Sequence, residues 1–325
     1  MEGMATHSGP ATDGTTADPR IAIQVGRDLV RNLEKVLLGA PGALTAAAIC
    51  ALSGGHLLIE DVPGVGKTVL AKAIALSIGA DLARIQGHAD LLPSDVTGSS
   101  VFSPEAGTWE FHPGPVFARV VLFDEINRTP PRTQSALLES MEEQQVTVDG
   151  TTHPLPSPHV VLATQNPRTE LGTFPLVESQ LDRFALVTSV GYPDSETEVR
   201  LAMGEGGRPA LANLQPVCDT ALWAAAQHAT AAVAVTEPIA EYAVAISRGT
   251  RRVPGVRLGA SPRAALWLVR CAQAFAALSG RDYTVPGDVK AVAVASLSHR
   301  IATDGGAGAA TVVRSVLVET PAPRP

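Results

Sequence analysis

The stretch Asp61-Val-Pro-Gly-Val-Gly-Lys67-Thr68 constrains the fold of this chain more than any other. A glycine-rich turn of this kind works between a strand and a helix, where it points backbone N–H groups and the positive end of the helix dipole at an anion. The flanks have that character. Leu57-Leu-Ile59 is a short apolar strand after the turn Ser53-Gly-Gly-His56, and Val69 to Ile78 alternates as an amphipathic helix stopped by Gly79. Pro63, Gly64, Val65, Gly66, Lys67, Thr68 and Val69 then form a phosphate cradle, with Lys67 reaching the terminal phosphates and the Thr68 hydroxyl ligating Mg²⁺. The strict pattern G-x-x-x-x-G-K-[ST] would put glycine where this chain has Asp61. With its flanks, the stretch predicts ATP binding.

A second feature supplies the chemistry. Val120-Val-Leu-Phe123 reads as a buried strand that delivers Asp124 and Glu125 at its C-terminal edge, where open parallel sheets hold their ligands. Two adjacent carboxylates at the end of an apolar strand are costly unless a cation pairs with them, so a purely structural role explains them poorly. Asp124 is the expected Mg²⁺ ligand and Glu125 the group that polarises the attacking water. Val160-Val-Leu-Ala-Thr-Gln-Asn166 is another apolar strand ending in a polar residue. Its Asn166 amide either approaches the γ-phosphate and water or makes an ordinary Asx turn before Pro167. Taken alone, Asp182-Arg183 and Arg263 read as solvated helix ends with local ion pairs.

The rest of the chain sets the frame. With 325 residues and 45% hydrophobic content, there is material for an α/β core and a second, smaller domain. Strands at Leu57 to Ile59, Leu82 to Ile85, Val120 to Phe123, Val160 to Thr164 and Leu186 to Val190 alternate with helical patterns, which predicts a parallel sheet wrapped by helices over residues 20–192. From Asp194 the strand signals give way to helical ones at Glu196 to Met203, Thr220 to Ala231, Pro238 to Arg248, Pro262 to Leu278 and Pro286 to Ser298, which predicts an all-α domain over 193–302. Residues 1–19 read as a solvated tail, and 303–325 as a C-terminal segment and frayed tail.

Several function classes are disfavoured. A net charge of −7 without any basic run argues against general affinity for polyanions. Cys50, Cys218 and Cys271 are far apart and read as buried small hydrophobes, and the eight histidines form no recognisable metal triad and read as surface or turn positions. No segment has the roughly 18 uninterrupted apolar residues of a membrane span. A soluble, cytoplasmic protein without membrane insertion is expected.

These motifs together resemble the MoxR family of AAA+ ATPases, over about residues 30 to 302. The resemblance is carried by His56-Leu-Leu-Ile-Glu-Asp-Val-Pro-Gly-Val-Gly-Lys-Thr68, Leu91-Leu-Pro-Ser-Asp-Val-Thr-Gly98, Asp124-Glu-Ile-Asn-Arg-Thr-Pro-Pro-Arg-Thr-Gln-Ser-Ala-Leu-Leu-Glu139, Ala163-Thr-Gln-Asn-Pro167, Ser179-Gln-Leu-Asp-Arg-Phe184 and Gly259-Ala-Ser-Pro-Arg263. It implies an AAA+ P-loop core with an α-helical lid, in which Asp at position 61 is common. Lys67 and Thr68 then belong to Walker A, Asp124 and Glu125 to Walker B, and Asn166 to sensor 1. Arg183 is implied as an arginine finger acting on a neighbouring subunit's ATP, and Arg263 as sensor 2 in the lid. The resemblance further implies a homo-oligomeric ring, hexameric in such ATPases, a helix-2 insert over 99–115 and a hairpin over 146–159 turning at Asp149-Gly150. Trp109 in the insert either packs under its own loop or grips a substrate. The wording departs from the family at Gly87-His88-Ala89 and at Gly39-Ala40, which leaves the adenine contacts of Val36 to Gly39 open.

The implied function is that of a chaperone-like remodeller that aids metal or cofactor insertion, often beside a separate protein with a von Willebrand factor A domain. Two other classes compete. A nucleic-acid motor of the same branch would load cations onto its hairpins, yet 99–115 and 146–159 contain no Lys or Arg. A scaffold that binds ATP without turnover would have no need of Glu125.

Overall fold

The computed structural model describes residues 18–62, 64–166, 172–305 and 308–323. Pro63, Pro167 and the expected tail up to residue 17 lie outside these residues. The elements are α1 (Pro19–Val36), α2 (Pro41–Ser53), β1 (Leu57–Glu60), α3 (Lys67–Ser77), β2 (Leu82–Gln86), α4 (Pro93–Thr97), β3 (Gly98–Ser103), β4 (Thr108–Pro113), β5 (Val120–Asp124), α5 (Pro131–Glu143), β6 (Gln145–Val148), β7 (Thr151–Pro154), β8 (Val160–Gln165), α6 (Glu178–Leu181) and β9 (Leu186–Thr188). There follow α7 (Ser195–Ala202), α8 (Gly207–Ala212), α9 (Thr220–Ala231), α10 (Glu237–Thr250), β10 (Val256–Leu258), α11 (Pro262–Leu278), α12 (Pro286–Leu297), β11 (Ala302–Thr303) and α13 (Ala309–Glu319). Pro19 already opens α1, with the Asp18 carboxylate accepting from the Arg20 N–H as its cap.

Five strands form one parallel sheet in the order β2-β5-β8-β1-β9. Successive side chains of a strand face opposite sides, and both faces of this sheet are covered, so its central strands read as unbroken apolar runs. Val120 and Leu122 of β5, Val160 and Leu162 of β8, and Leu57 and Ile59 of β1 enter one core with α1, α2, α3 and the C-terminal helices. Val121, Phe123, Val161, Ala163 and Leu58 enter the other with α5. Phe123 and Phe184 are fully buried there, and burying a side chain of that size contributes roughly 1.5–3 kcal/mol.

Both expected insertions are antiparallel hairpins, β3/β4 and β6/β7. The second turns at Asp149 (φ 50°) and Gly150 (φ 80°), the paired left-handed conformation that a tight two-residue turn demands. The hairpins touch through the stacked rings of Phe111 and His153, 3.9 Å apart. Trp109 meets Phe102 edge-on across its own hairpin at 5.6 Å but stays 71% exposed, so it does not pack beneath the loop.

The region after Asp194 is not purely helical. β10 and β11 pair as an antiparallel ribbon, and strands of three and two residues are too short for period-two alternation to be read. Residues 303–325 include α13, whose Val312, Val313 and Val316 are buried and which packs on α10 and α12. Among the described residues no helix is long and apolar enough to cross a membrane.

Candidate active site

Gly64 (φ 89°) and Gly66 (φ 98°) hold the left-handed geometry that the phosphate loop needs. A Cβ on Gly66 would also lie 2.7 Å from Leu37 Cδ1, so a larger residue there is excluded twice. α3 begins at Lys67, and its N-terminus faces the loop. Lys67 is 7% exposed; its Nζ donates to Asp61 O at 2.7 Å and Val62 O at 3.2 Å.

Asp61 explains its own departure from the strict loop pattern. Its carboxylate accepts from the N–H groups of Val190 at 2.6 Å and Gly191 at 2.7 Å, and from Val62 N–H at 2.8 Å. The side chain thereby ties the phosphate loop to the segment that follows β9 and leads into the helical region. Glycine could make none of these bonds.

Asp124 and Glu125 leave the end of β5 beside β8. Asp124 accepts from Thr164 Oγ1 at 2.6 Å and from Arg84 Nη2 at 2.8 Å. Glu125 is in the left-handed region (φ 57°), which turns its carboxylate along the sheet edge. There Oε2 accepts from Gln86 at 3.1 Å and Arg128 at 3.1 Å, and Oε1 accepts from Asn166 Nδ2 at 3.2 Å. The Asn166 amide is thus directed at Glu125. A strained backbone kept in place by converging hydrogen bonds is a pattern of functional sites.

Gly64, Gly66, Lys67, Thr68, Val69, Asp124, Glu125 and Asn166 line one cleft of about 370 Å³. Arg208, from the first turn of α8, lines it too. Sequence reasoning missed this residue, because an arginine in a glycine-rich segment 141 positions after Lys67 carries no local signal. A neighbouring hollow of about 440 Å³ is lined by Val36, Leu37, Leu38, Gly39, Val190 and Tyr192 among others. It is apolar and adjoins the phosphate loop, as an adenine pocket requires.

Arg183 and Arg263 are not among the residues lining that cleft. Both converge on Glu142 at the end of α5: Arg183 Nε lies 2.9 Å from Oε2, and Arg263 Nη1 pairs with Oε1. The local ion pair expected at Asp182-Arg183 does not form, since Asp182 pairs with Arg300, 118 residues away, at 2.7 Å. The histidine expectation also fails in part. His56 and His159 are 5% and 6% exposed, and each has a backbone partner that allows this burial: His56 accepts from Val161 N–H in β8 at 3.0 Å and donates to Met141 O in α5, and His159 bonds Ala118 O, before β5, at 3.0 Å. Burial, the leading cause, pushes their pKa values down to about 3 and about 4. All three cysteines are buried, and among the described residues no cluster of three or more His, Cys, Asp or Glu is grouped to hold a metal.

A glycine-rich loop opening a helix, acidic residues on the next strand but one and a helical C-terminal region define a P-loop ATPase of the AAA class with its lid. Comparison with known proteins agrees. The family model of the ATPase family associated with various cellular activities matches residues 56–186, and that of the AAA lid domain matches 248–315. The chain is 44% identical to protein YeaC of Bacillus subtilis, covering 89% of this chain and 92% of that one. It is 36% identical to the chaperone MoxR1 of Mycobacterium tuberculosis, covering 83% and 73%. A crystal structure from Cytophaga hutchinsonii, of a protein proposed to be an ATPase, superposes with a TM-score of 0.84 at 33% identity, covering 94% of this chain and 97% of that one. The chain belongs to the MoxR family of AAA+ ATPases.

Proposed function

We propose that this ATPase hydrolyses Mg²⁺-ATP in a homo-oligomeric ring, hexameric by the family resemblance, and uses the cycle to remodel or activate a partner protein. The observation that carries the reading is the hydrogen bond from Asn166 to Glu125 within the cleft that Lys67 and Thr68 also line. In this reading the backbone from Gly64 to Val69 and Lys67 bind the phosphates, and Arg208 adds a cation of the same chain. Glu125 accepts the proton of the attacking water, and Asn166 orients that carboxylate. Mg²⁺ takes hard oxygen donors, and the Thr68 hydroxyl with the Asp124 carboxylate fits that preference. When bound, the ion neutralises charge on the phosphate oxygens.

Arg183 and Arg263 are not among the residues lining their own cleft, which supports the action of Arg183 on the neighbouring subunit's nucleotide and extends it here to Arg263, which the resemblance gives only as sensor 2 in the lid. A guanidinium supplied in this way is worth about 10³-fold or more in rate. The von Willebrand factor A partner and a role in metal or cofactor insertion are carried by the resemblance, and the cytoplasmic location by the three separated cysteines and the lack of a membrane-spanning apolar run. The absence of Lys and Arg from 99–115 and 146–159 disfavours a nucleic-acid motor.

The test is Glu125→Gln. Phosphate release should fall by about 10²-fold or more while nucleotide binding persists, since the substitution removes the base and keeps the shape. Full turnover in this variant would refute the assigned base. The same variant should retain its partner protein in an ATP-bound state long enough for capture.

A further inference from the structure

Arg300 ends the short turn Ser298–Arg300 after α12 and is 3% exposed. All of its N–H groups have acceptors. Nε donates to Asp182 Oδ1 at 2.7 Å; Nη2 donates to Asp182 O at 2.9 Å and Phe184 O at 2.7 Å; Nη1 donates to Ala185 O at 3.4 Å and to Ser296 O. The fork therefore wraps the backbone on both sides of Arg183. The Asp182 carboxylate also accepts from Ser261 Oγ at 3.1 Å and 3.2 Å. Ser261 in turn accepts from Ala264 N–H as the cap of α11, the helix whose first turn bears Arg263. One carboxylate thus joins the turn carrying Arg183 to the helix start carrying Arg263, and both arginines converge on Glu142.

If burying surface were the only demand, apolar side chains of similar volume would serve at positions 182 and 300, because a buried ion pair loses much of its attraction to desolvation. A fully satisfied fork instead specifies one geometry. We propose that Asp182 and Arg300 are positioning residues that hold Arg183 and Arg263 as a fixed pair for the neighbouring subunit's nucleotide. The proposal rests on the reading that these arginines act between subunits. It makes the lid of one subunit a determinant of hydrolysis in the next.

The experiment uses the full chain with Asp182→Asn and, separately, Arg300→Lys. Phosphate release at saturating Mg²⁺-ATP should fall on the order of 10-fold to 100-fold through misplacement of the pair, with binding of a fluorescent ATP analogue and ring mass unchanged. Mixing either variant with excess Glu125→Gln should restore phosphate release, because the variant's own cleft is intact and its new neighbour presents a correctly held pair. A merely structural lesion would not respond to mixing. Arg183→Ala mixed with Glu125→Gln is the control. If the control recovers and the junction variants form rings but do not recover, or never lose activity, the positioning role is overturned. If the control itself does not recover, the reading between subunits falls and takes the positioning role with it. Should Arg300→Lys fail to assemble, Asp182→Asn, which keeps the side-chain volume and an acceptor for Ser261, decides the matter.

Discussion

The phosphate cleft and the arginine face around Glu142 belong to one ATPase but are built in opposite ways. In the cleft, Lys67, Asp124, Glu125 and Asn166 stand at the C-terminal ends of neighbouring parallel strands or in the loop beside them, so strand order alone brings them together. At the arginine face, the adjacent Asp182 and Arg183, with Glu142, Arg263 and Arg300, come from four separate segments, and side-chain bonds draw them together. A site made by backbone topology tolerates change in its surroundings. A site made by a network of side chains depends on every member of it.

The largest expected effect tests the contrast directly. Arg183→Ala should lower the rate of hydrolysis by about 10³-fold or more with nucleotide affinity little changed, whereas Lys67→Ala should abolish nucleotide binding itself. Parallel titrations and phosphate-release assays would break the distinction if both variants lost binding. Next in size is acid sensitivity. His56 donates to Met141 O beside Glu142, and its own carbonyl accepts from Ala185 N–H at 2.9 Å, so it braces the arginine face. The folded-state values of His56 and His159, about 3 and about 4, lie below the ordinary 6.5. The unfolded chain therefore binds more protons in that interval. This stability is fully present above about pH 6.5 and is lost as the pH falls toward the folded values, by up to about 1.4 kcal/mol per pH unit for each histidine. Tm measured from pH 7 to pH 5 should fall, and His159→Leu should flatten the slope. An unchanged slope would remove His159 from the account.

A further variant probes the cleft's link to the segment after β9. Asp61→Gly restores the strict loop pattern yet deletes three hydrogen bonds of a residue 8% exposed, and should reduce unfolding free energy by about 1–3 kcal/mol. Denaturant unfolding with no loss would show the bonds to be incidental. The smallest effect is expected at Glu142→Gln. Its partners are partly exposed, with side chains 27% and 35% accessible, so the change in stability should stay within about 1 kcal/mol, measurable in the same unfolding experiment.

Much of this was legible in the chain itself. The parallel strands at Val120 and Val160 show as apolar runs because both faces of the sheet are covered. The helices starting at Pro262 and Pro286 show through a proline in the first turn. The loop from Gly64 to Thr68 and the acidic pair are patterns of a few consecutive residues, whereas Asn166 taken locally stands open between a role at the cleft and an Asx turn. β10 and β11 were too short to leave a pattern, and α13 lay in the C-terminal segment before the tail, where no element was read.

Four assignments needed the tertiary structure. The resemblance makes Asp61 an accepted departure from the strict loop pattern, but what its carboxylate does was decided only where it met the N–H groups of Val190 and Gly191, 129 and 130 positions on. Arg208 entered the cleft from α8 without any motif. His56 and His159, expected at the surface or in turns, are buried on backbone partners. Asp182 and Arg183, neighbours expected to pair locally, turned to partners in different segments. Sequence alone determined the groups that backbone geometry places, because turn chemistry, strand alternation and helix capping act over a few residues. The pairing of charges and the depth of a side chain were decided only when distant segments met, since desolvation and hydrogen-bond satisfaction depend on everything that packs around a group.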